Sequence, residues 1–236
     1  MTMWAVIPAA GRGERFGADR PKQYLTLAGR PMLEHSLAPF LASPAIAGVV
    51  IALAANDGEW PKIAPERPPK PLVTAIGGAS RAESVAAALA AIADRVVGDD
   101  WVLVHDAARP CLSGSDLERL IGTLRDDRVG GILAAPLADT LKRADDAGCI
   151  AATVERACLW RAQTPQMFRY GLLRNALDGA AVAGLEATDE AMAMEHAGFA
   201  PRIVAARENN LKVTRPEDLS LAEAVLASRK MVESSA

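Results

Sequence analysis

An α/β fold built on a doubly wound, mostly parallel sheet is predicted by three observations. Short apolar runs suited to buried strands recur at residues 3–7, 49–54, 72–75, 101–105, 131–135 and 201–205. Helix-like periodicity fills most of the intervals, which is the sequence form of repeated strand–helix crossovers. Half of the 236 residues are apolar while only 4% are aromatic, so Ala-rich helices can pack closely against a sheet. A single domain spanning 1–236 is expected, with residues 138–163 as its one appendage.

Along the chain, local signals justify each element. Residues 3–7 run into Pro8-Ala9-Ala10-Gly11-Arg12-Gly13-Glu14-Arg15-Phe16-Gly17, with Pro21-Lys22-Gln23-Tyr24 close behind. Pro8 punctuates the run and the glycines suit a sharp turn. Pro61, Pro65, Pro68, Pro69 and Pro71 exclude a helix interior or central strand, so 56–71 is expected to be a surface loop. Ser80-Arg81-Ala82-Glu83 has the form of a capping box opening a helix to about residue 94. Residues 138–163 break the rhythm: 140–143 and 150–154 flank Asp145-Asp146-Ala147-Gly148, a turn signal, and read as a hairpin with little core-facing surface. Such a hairpin is marginal alone and wants a partner surface. Thr188 before Asp189-Glu190 reads as an N-cap with acids in the first turn. Thr214-Arg215-Pro216-Glu217 reads as a second capping box, opening a last helix to about residue 228.

Positive charge gathers in the glycine-rich stretch. Over residues 11–22, Arg12, Arg15, Arg20 and Lys22 stand against Glu14 and Asp19, whereas the whole chain carries −3. Outward-facing N–H groups around Gly11 and Gly13, beside these cations, suit a polyphosphate. A plain strand-to-helix turn with solvated charges would use the same glycines. Neither common phosphate motif fits: Phe16 stands where a dinucleotide fingerprint needs its third glycine, and no Gly-Lys-Ser/Thr closes the loop.

Composition narrows the class further. The acidic balance and scarce aromatics argue against duplex or single-stranded nucleic acid. Cys111, Cys149 and Cys158 are odd in number and lack C-x-x-C spacing, which fits reduced thiols. His35, His105 and His196 are too scattered for a zinc site. No stretch reaches the ~20 apolar residues of a membrane span, and the first apolar run is too short for a signal peptide. A cytoplasmic protein without membrane contact is expected.

Seven blocks occur in a specific order. They are Pro8-Ala9-Ala10-Gly11-x-Gly13-x-Arg15 with Pro21-Lys22-Gln23-Tyr24-Leu25; Gly77-Gly78-x-x-Arg81-x-x-Ser84-Val85; His105-Asp106-Ala107-Ala108-Arg109-Pro110; Asp139-Thr140-Leu141-Lys142; Thr164-Pro165-Gln166-x-Phe168; Thr188-Asp189-Glu190; and Asn210-Leu211-Lys212-Val213-Thr214-x-Pro216-Glu217-Asp218-Leu219. Together they resemble the 2-C-methyl-D-erythritol 4-phosphate cytidylyltransferases of the non-mevalonate isoprenoid pathway.

That resemblance implies a nucleotide-diphospho-sugar transferase-like sheet and a reaction in which CMP passes from CTP to 2-C-methyl-D-erythritol 4-phosphate, releasing pyrophosphate. The nucleophile would be a phosphate monoester with a second pKa of about 6, dianionic at neutral pH and needing no general base. The obstacle is one anion attacking another, and fixed cations are the remedy. By resemblance, Arg15 and Lys22 are catalytic. Ala9, Ala10, Gly11, Gly13, Gly77, Gly78, Ser84 and Ala107 would hold the nucleotide, and Asp106, Arg109, Thr164, Thr188 and Lys212 the acceptor. Thr140 and Arg156 would reach the acceptor from a neighbouring subunit, the hairpin at 138–163 embracing it in a homodimer. Mg²⁺, or another divalent cation, would be held mainly by substrate phosphates and water. A ribitol 5-phosphate cytidylyltransferase shares the glycine-rich loop and the Pro-Lys-Gln turn. A non-catalytic CTP sensor is the alternative of a different class, and a nicotinamide-dependent oxidoreductase fits less well.

Overall fold

The computed structural model describes residues 1–11, 20–207 and 209–233. Its first half comprises β1 (Met3–Pro8), β2 (Thr26–Leu27), β3 (Arg30–Pro31), α1 (Met32–Ala42), β4 (Gly48–Leu53), α2 (Trp60–Ile63), β5 (Leu72–Ile76), α3 (Arg81–Ala91), β6 (Trp101–Val104) and α4 (Gly114–Leu124). The second comprises β7 (Gly130–Pro136), β8 (Leu141–Ala144), β9 (Ile150–Val154), β10 (Trp160–Arg169), α5 (Tyr170–Val182), α6 (Glu190–His196), β11 (Arg202–Ala205) and α7 (Glu217–Glu233).

Seven strands form the central sheet in the order β11-β7-β10-β6-β1-β4-β5. All neighbours are parallel except β10, which runs antiparallel to both β6 and β7. Alternating residues serve opposite layers, as the two-residue strand period requires. Trp4 and Val6 of β1 join α3, α5 and α6 in one core, while Ala5 and Ile7 join α1 and α4 in the other. Each fully buried Val, Leu, Ile or Phe there stabilises the fold by roughly 1.5–3 kcal/mol. A third cluster, with Leu27, Met32, Cys111, Val213 and Ala222, docks α7 and holds Leu211 and Val213 near β2 and the start of α1.

The expected mostly parallel sheet is therefore present, with differences that have physical reasons. The strand β10 has no counterpart among the predicted runs, because buried polar residues Gln163, Thr164 and Gln166 interrupt its apolar character. A register shift between Ala162 and Gln166 accommodates Pro165. Residues 56–71 are not wholly loop, since α2 forms with Pro61 in its first turn, where the missing N–H costs nothing. Lys70 also closes the carbonyl end of α1, donating to the backbone oxygens of Phe40, Ser43 and Ile46 at 3.1, 2.6 and 2.8 Å. The Ser80 box opens α3 as expected, but the helix ends at Ala91.

At the last helix, the Thr214–Glu217 box does not form; Asp218 instead accepts from the backbone N–H groups of Thr214 and Arg215 and from the Thr214 hydroxyl. The cap of α6 is likewise Asp189, accepting from the Met192 N–H, and not Thr188. The hairpin β8–β9 forms its own two-stranded sheet with almost every residue exposed.

Candidate active site

Crossovers leave β1 toward β4 and β5 on one side, while β6 leads toward β10 and β7 on the other. Where a sheet reverses its winding in this way, the carboxyl ends of the strands part and leave a crevice. A cavity of about 480 Å³ opens there, bringing Ala9, Ala10 and Gly11 after β1 together with Lys22, Gly78, Ser84, Asp106, Ala107 and Lys212. A neighbouring hollow of about 580 Å³ shares Ala10, Gly11 and Gln23 and includes Arg20. Gly11 thus lines both hollows, and Arg20 the second of them. Gly13 and Arg15 lie outside the described residues.

Asp106 is the electrostatic centre. Its Oδ1 accepts from Arg81 Nε at 2.9 Å, and its Oδ2 lies 2.8 Å from Lys212 Nζ and 3.6 Å from Arg109 Nε. Arg81 and Lys212 beside it outweigh burial and hold its carboxyl far below the usual carboxylate range. Two further donors of Arg81 grip Glu190 as a fork, Nη1 to Oε1 at 2.6 Å and Nη2 to Oε2 at 3.0 Å. Glu190 is 1% exposed, and burial raises its carboxyl above the usual range against the pull of Arg81. The sequence shows Arg81 within a capping box and Glu190 among first-turn acids, but nothing in it signals their pairing.

Behind Asp106 lies a second network. The Asp106 N–H donates to Thr164 Oγ1 at 3.1 Å, and Thr164 Oγ1 lies 2.9 Å from His105 Nδ1. His105 Nε2 faces the Arg109 carbonyl at 3.1 Å. A carbonyl only accepts, so His105 carries its proton on Nε2 and takes the Thr164 hydroxyl proton on Nδ1. Thr164 is thus committed to holding the backbone of Asp106. Arg109 is similarly occupied, donating to the carbonyls of Asn210 at 2.8 Å and Ala162 at 3.3 Å. Neither residue is among those lining the cavity.

Burial lowers the His105 pKa to about 4. Between roughly pH 6.5 and 4 the unfolded chain takes up a proton here that the folded chain refuses, so stability falls as pH falls through that window. The expected contribution is about 3 kcal/mol lost by pH 4. Urea unfolding at pH 7 and pH 4.5 should show a smaller loss for His105→Gln than for the unsubstituted chain; equal losses would remove His105 as the cause.

Around the turn after β5, close approach explains the glycines. A Cβ on Gly77 would sit 2.5 Å from Ala10 Cβ and 2.8 Å from Ser84 Oγ, and one on Gly78 would sit 2.3 Å from Glu83 Cβ. Gly77 therefore lets the turn after β5 press against the end of β1, and Gly78 makes room for the capping carboxylate of α3. Ser84 is buried and returns its hydroxyl proton to the Ser80 carbonyl at 2.9 Å. Lys22 Nζ donates to the Val213 carbonyl at 3.1 Å, one residue from Lys212. Gln23 Nε2 donates to the Ala9 carbonyl at 2.7 Å, fixing the turn that carries Lys22 against β1.

Thr140 and Arg156 stand exposed at the foot of the hairpin and are absent from this cavity lining. Exposed Thr188 directs its hydroxyl to Met192 Sδ at 3.6 Å. No helix among the described residues is long and apolar enough to cross a membrane.

Residues 3–228 match the family model for 2-C-methyl-D-erythritol 4-phosphate cytidylyltransferase. A Pseudomonas putida protein of that name is 55% identical over 217 residues, covering 92% of each chain. A crystal structure of 4-diphosphocytidyl-2C-methyl-D-erythritol synthase superposes with a TM-score of 0.83 at 38% identity, covering 95% of this chain and 98% of that one. The Francisella tularensis 2-C-methyl-D-erythritol 4-phosphate cytidylyltransferase does so with a TM-score of 0.81 at 34% identity, over 95% and 100%.

Proposed function

The chain belongs to the 2-C-methyl-D-erythritol 4-phosphate cytidylyltransferase family, and from that premise we propose how its residues carry the reaction. It transfers CMP from CTP to 2-C-methyl-D-erythritol 4-phosphate, giving 4-diphosphocytidyl-2-C-methyl-D-erythritol and pyrophosphate. The observation that supports the division of labour is the single hollow in which the end of β1 and Lys22 face Asp106 and Lys212. Nucleotide enters on the Ala9–Gly11 and Gly77–Ser84 side. Acceptor is read by Asp106, whose carboxylate takes sugar hydroxyls, and by Lys212, whose ammonium faces its phosphate.

Attack by the acceptor phosphate on the α-phosphorus builds charge on the equatorial oxygens and on departing pyrophosphate. Lys22 leaves the Val213 carbonyl to meet that charge as a compact ammonium, and Arg15 supplies a planar fork. Among the described residues no group of three His, Cys, Asp or Glu side chains could hold a metal ion. Asp106 is already engaged by three cations. A divalent cation would be held mainly by substrate phosphates and water, and would supply charge neutralisation there.

The acceptor side is completed by Thr140 and Arg156 of a second copy, in a cytoplasmic homodimer. Support comes from the hairpin, which forms its own two-stranded sheet with Ile150 exposed, and from Leu159 and Trp160, exposed where the chain re-enters the central sheet. Pyrophosphate release with CTP, Mg²⁺ and either methylerythritol 4-phosphate or ribitol 5-phosphate tests the reading. Methylerythritol phosphate should give the larger kcat/KM, by about tenfold or more, as expected where a site pairs with the right hydroxyls. A preference for ribitol phosphate would overturn it.

A further inference from the structure

Arg81 does something unusual for a residue at a binding cavity: all of its named partners are carboxylates of the protein itself. Its Nε edge meets Asp106 Oδ1, and its two terminal nitrogens are both taken by Glu190. Three cations, Arg81, Arg109 and Lys212, thus face two carboxylates, one of which is buried out of reach of any substrate.

Glu190 is itself held on a rigid mount. It opens α6, and the side chain of Gln166 on β10 clamps that helix end from both sides. Gln166 Nε2 donates to Asp189 Oδ2 at 2.9 Å, and Gln166 Oε1 accepts the Ala191 N–H at 2.8 Å. The same strand supplies Thr164, which holds the Asp106 backbone. One strand therefore fixes Asp106 twice, through its N–H directly and through its carboxylate by way of Glu190 and Arg81.

We infer that Glu190 is a positioning residue for acceptor recognition: by occupying both terminal nitrogens of Arg81 it turns the guanidinium edge-on to Asp106, leaving Oδ2 for Lys212 and the acceptor polyol. Without this fork, Arg81 can rotate its terminal nitrogens onto Asp106 or out into the cavity that it lines. Either movement displaces the carboxylate that reads the acceptor and leaves the β1 side of the site untouched. The bidentate geometry matters, since a neutral amide presents one donor to a guanidinium donor and opens the fork. The inference rests on the reading of Asp106 as an acceptor ligand.

Steady-state kinetics of Glu190→Gln and Asp106→Asn, alone and combined, test it. Glu190→Gln should raise KM for the acceptor phosphate about tenfold while KM for CTP changes less than about twofold, as for a misplaced contact at one side of a site. The double variant should be no worse than Asp106→Asn alone, because both act through one carboxylate. Should Glu190→Gln fail to fold, Glu190→Asp retains the buried charge but is too short for the full fork, and the same selective rise in acceptor KM is expected. An unchanged acceptor KM in a Glu190 variant with a lowered melting temperature, while Asp106→Asn raises that KM, would reduce Glu190 to a brace and overturn the inference. Asp106→Asn without effect on acceptor KM would remove the reading of Asp106 on which it stands.

Discussion

Lys22→Ala is expected to lower kcat by about 10²–10³-fold, the loss that follows removal of one preorganised charge from a developing anion, or about 3–4 kcal/mol. Lys22 sits on a short 3-10 turn, Lys22–Tyr24, that Gln23 pins to the Ala9 carbonyl. Its ammonium is parked on the Val213 carbonyl at 3.1 Å, close to the Lys212–Asp106 pair. The melting temperature should shift by only a few degrees, since Lys22 belongs to the cavity wall and not to the core. Rapid-quench measurement of a single turnover checks this at the chemical step. A normal turnover rate with a raised KM for CTP would make Lys22 a nucleotide anchor and nothing more.

Mixing two impaired variants should restore activity when assayed with acceptor below the raised KM of Arg156→Gln. If Arg156 serves the neighbour's site, a hybrid of Lys22→Ala and Arg156→Gln subunits contains one site with both residues intact and one with neither. Random reassortment of equal amounts would give about a quarter of the unsubstituted activity, and hybrids isolated through two tags about half, by the symmetry of a closed dimer. Arg156→Gln alone should raise KM for the acceptor far more than KM for CTP. Were Arg156 to act in its own subunit, each hybrid site would carry one lesion and no activity would return.

How far these sites could be read in the sequence depended on where each residue's partners lie. The strand at residues 48–53 was legible because both faces are covered by helices, so every residue is buried and the apolar run is unbroken. The Ser80 box was legible because both of its hydrogen bonds close within four residues. β10 was hidden by the opposite circumstance: its middle is polar because Thr164 and Gln166 brace the site from inside the sheet. Arg81 and Glu190 are 109 positions apart, and each looks locally like an ordinary charge in the first turn of a helix. Thr188 lost the cap to Asp189 since both are competent capping residues one position apart. Resemblance located Asp106 and Lys212, but only the fold reveals that they pair.

The antiparallel strand has a consequence for the order in which a nascent chain acquires chemistry. Strands β1, β4, β5 and β6 can complete their mutual pairing as soon as the first half of the chain has emerged. Asp106 is present by then, yet Thr164, Glu190 and Lys212, which set its backbone, its guanidinium partner and its ammonium partner, all emerge later. A domain folds as a unit, so early strand pairing alone does not complete the site. The environment of Asp106 would therefore be complete only once β10, α6 and the segment carrying Lys212 have joined the strands of the first half.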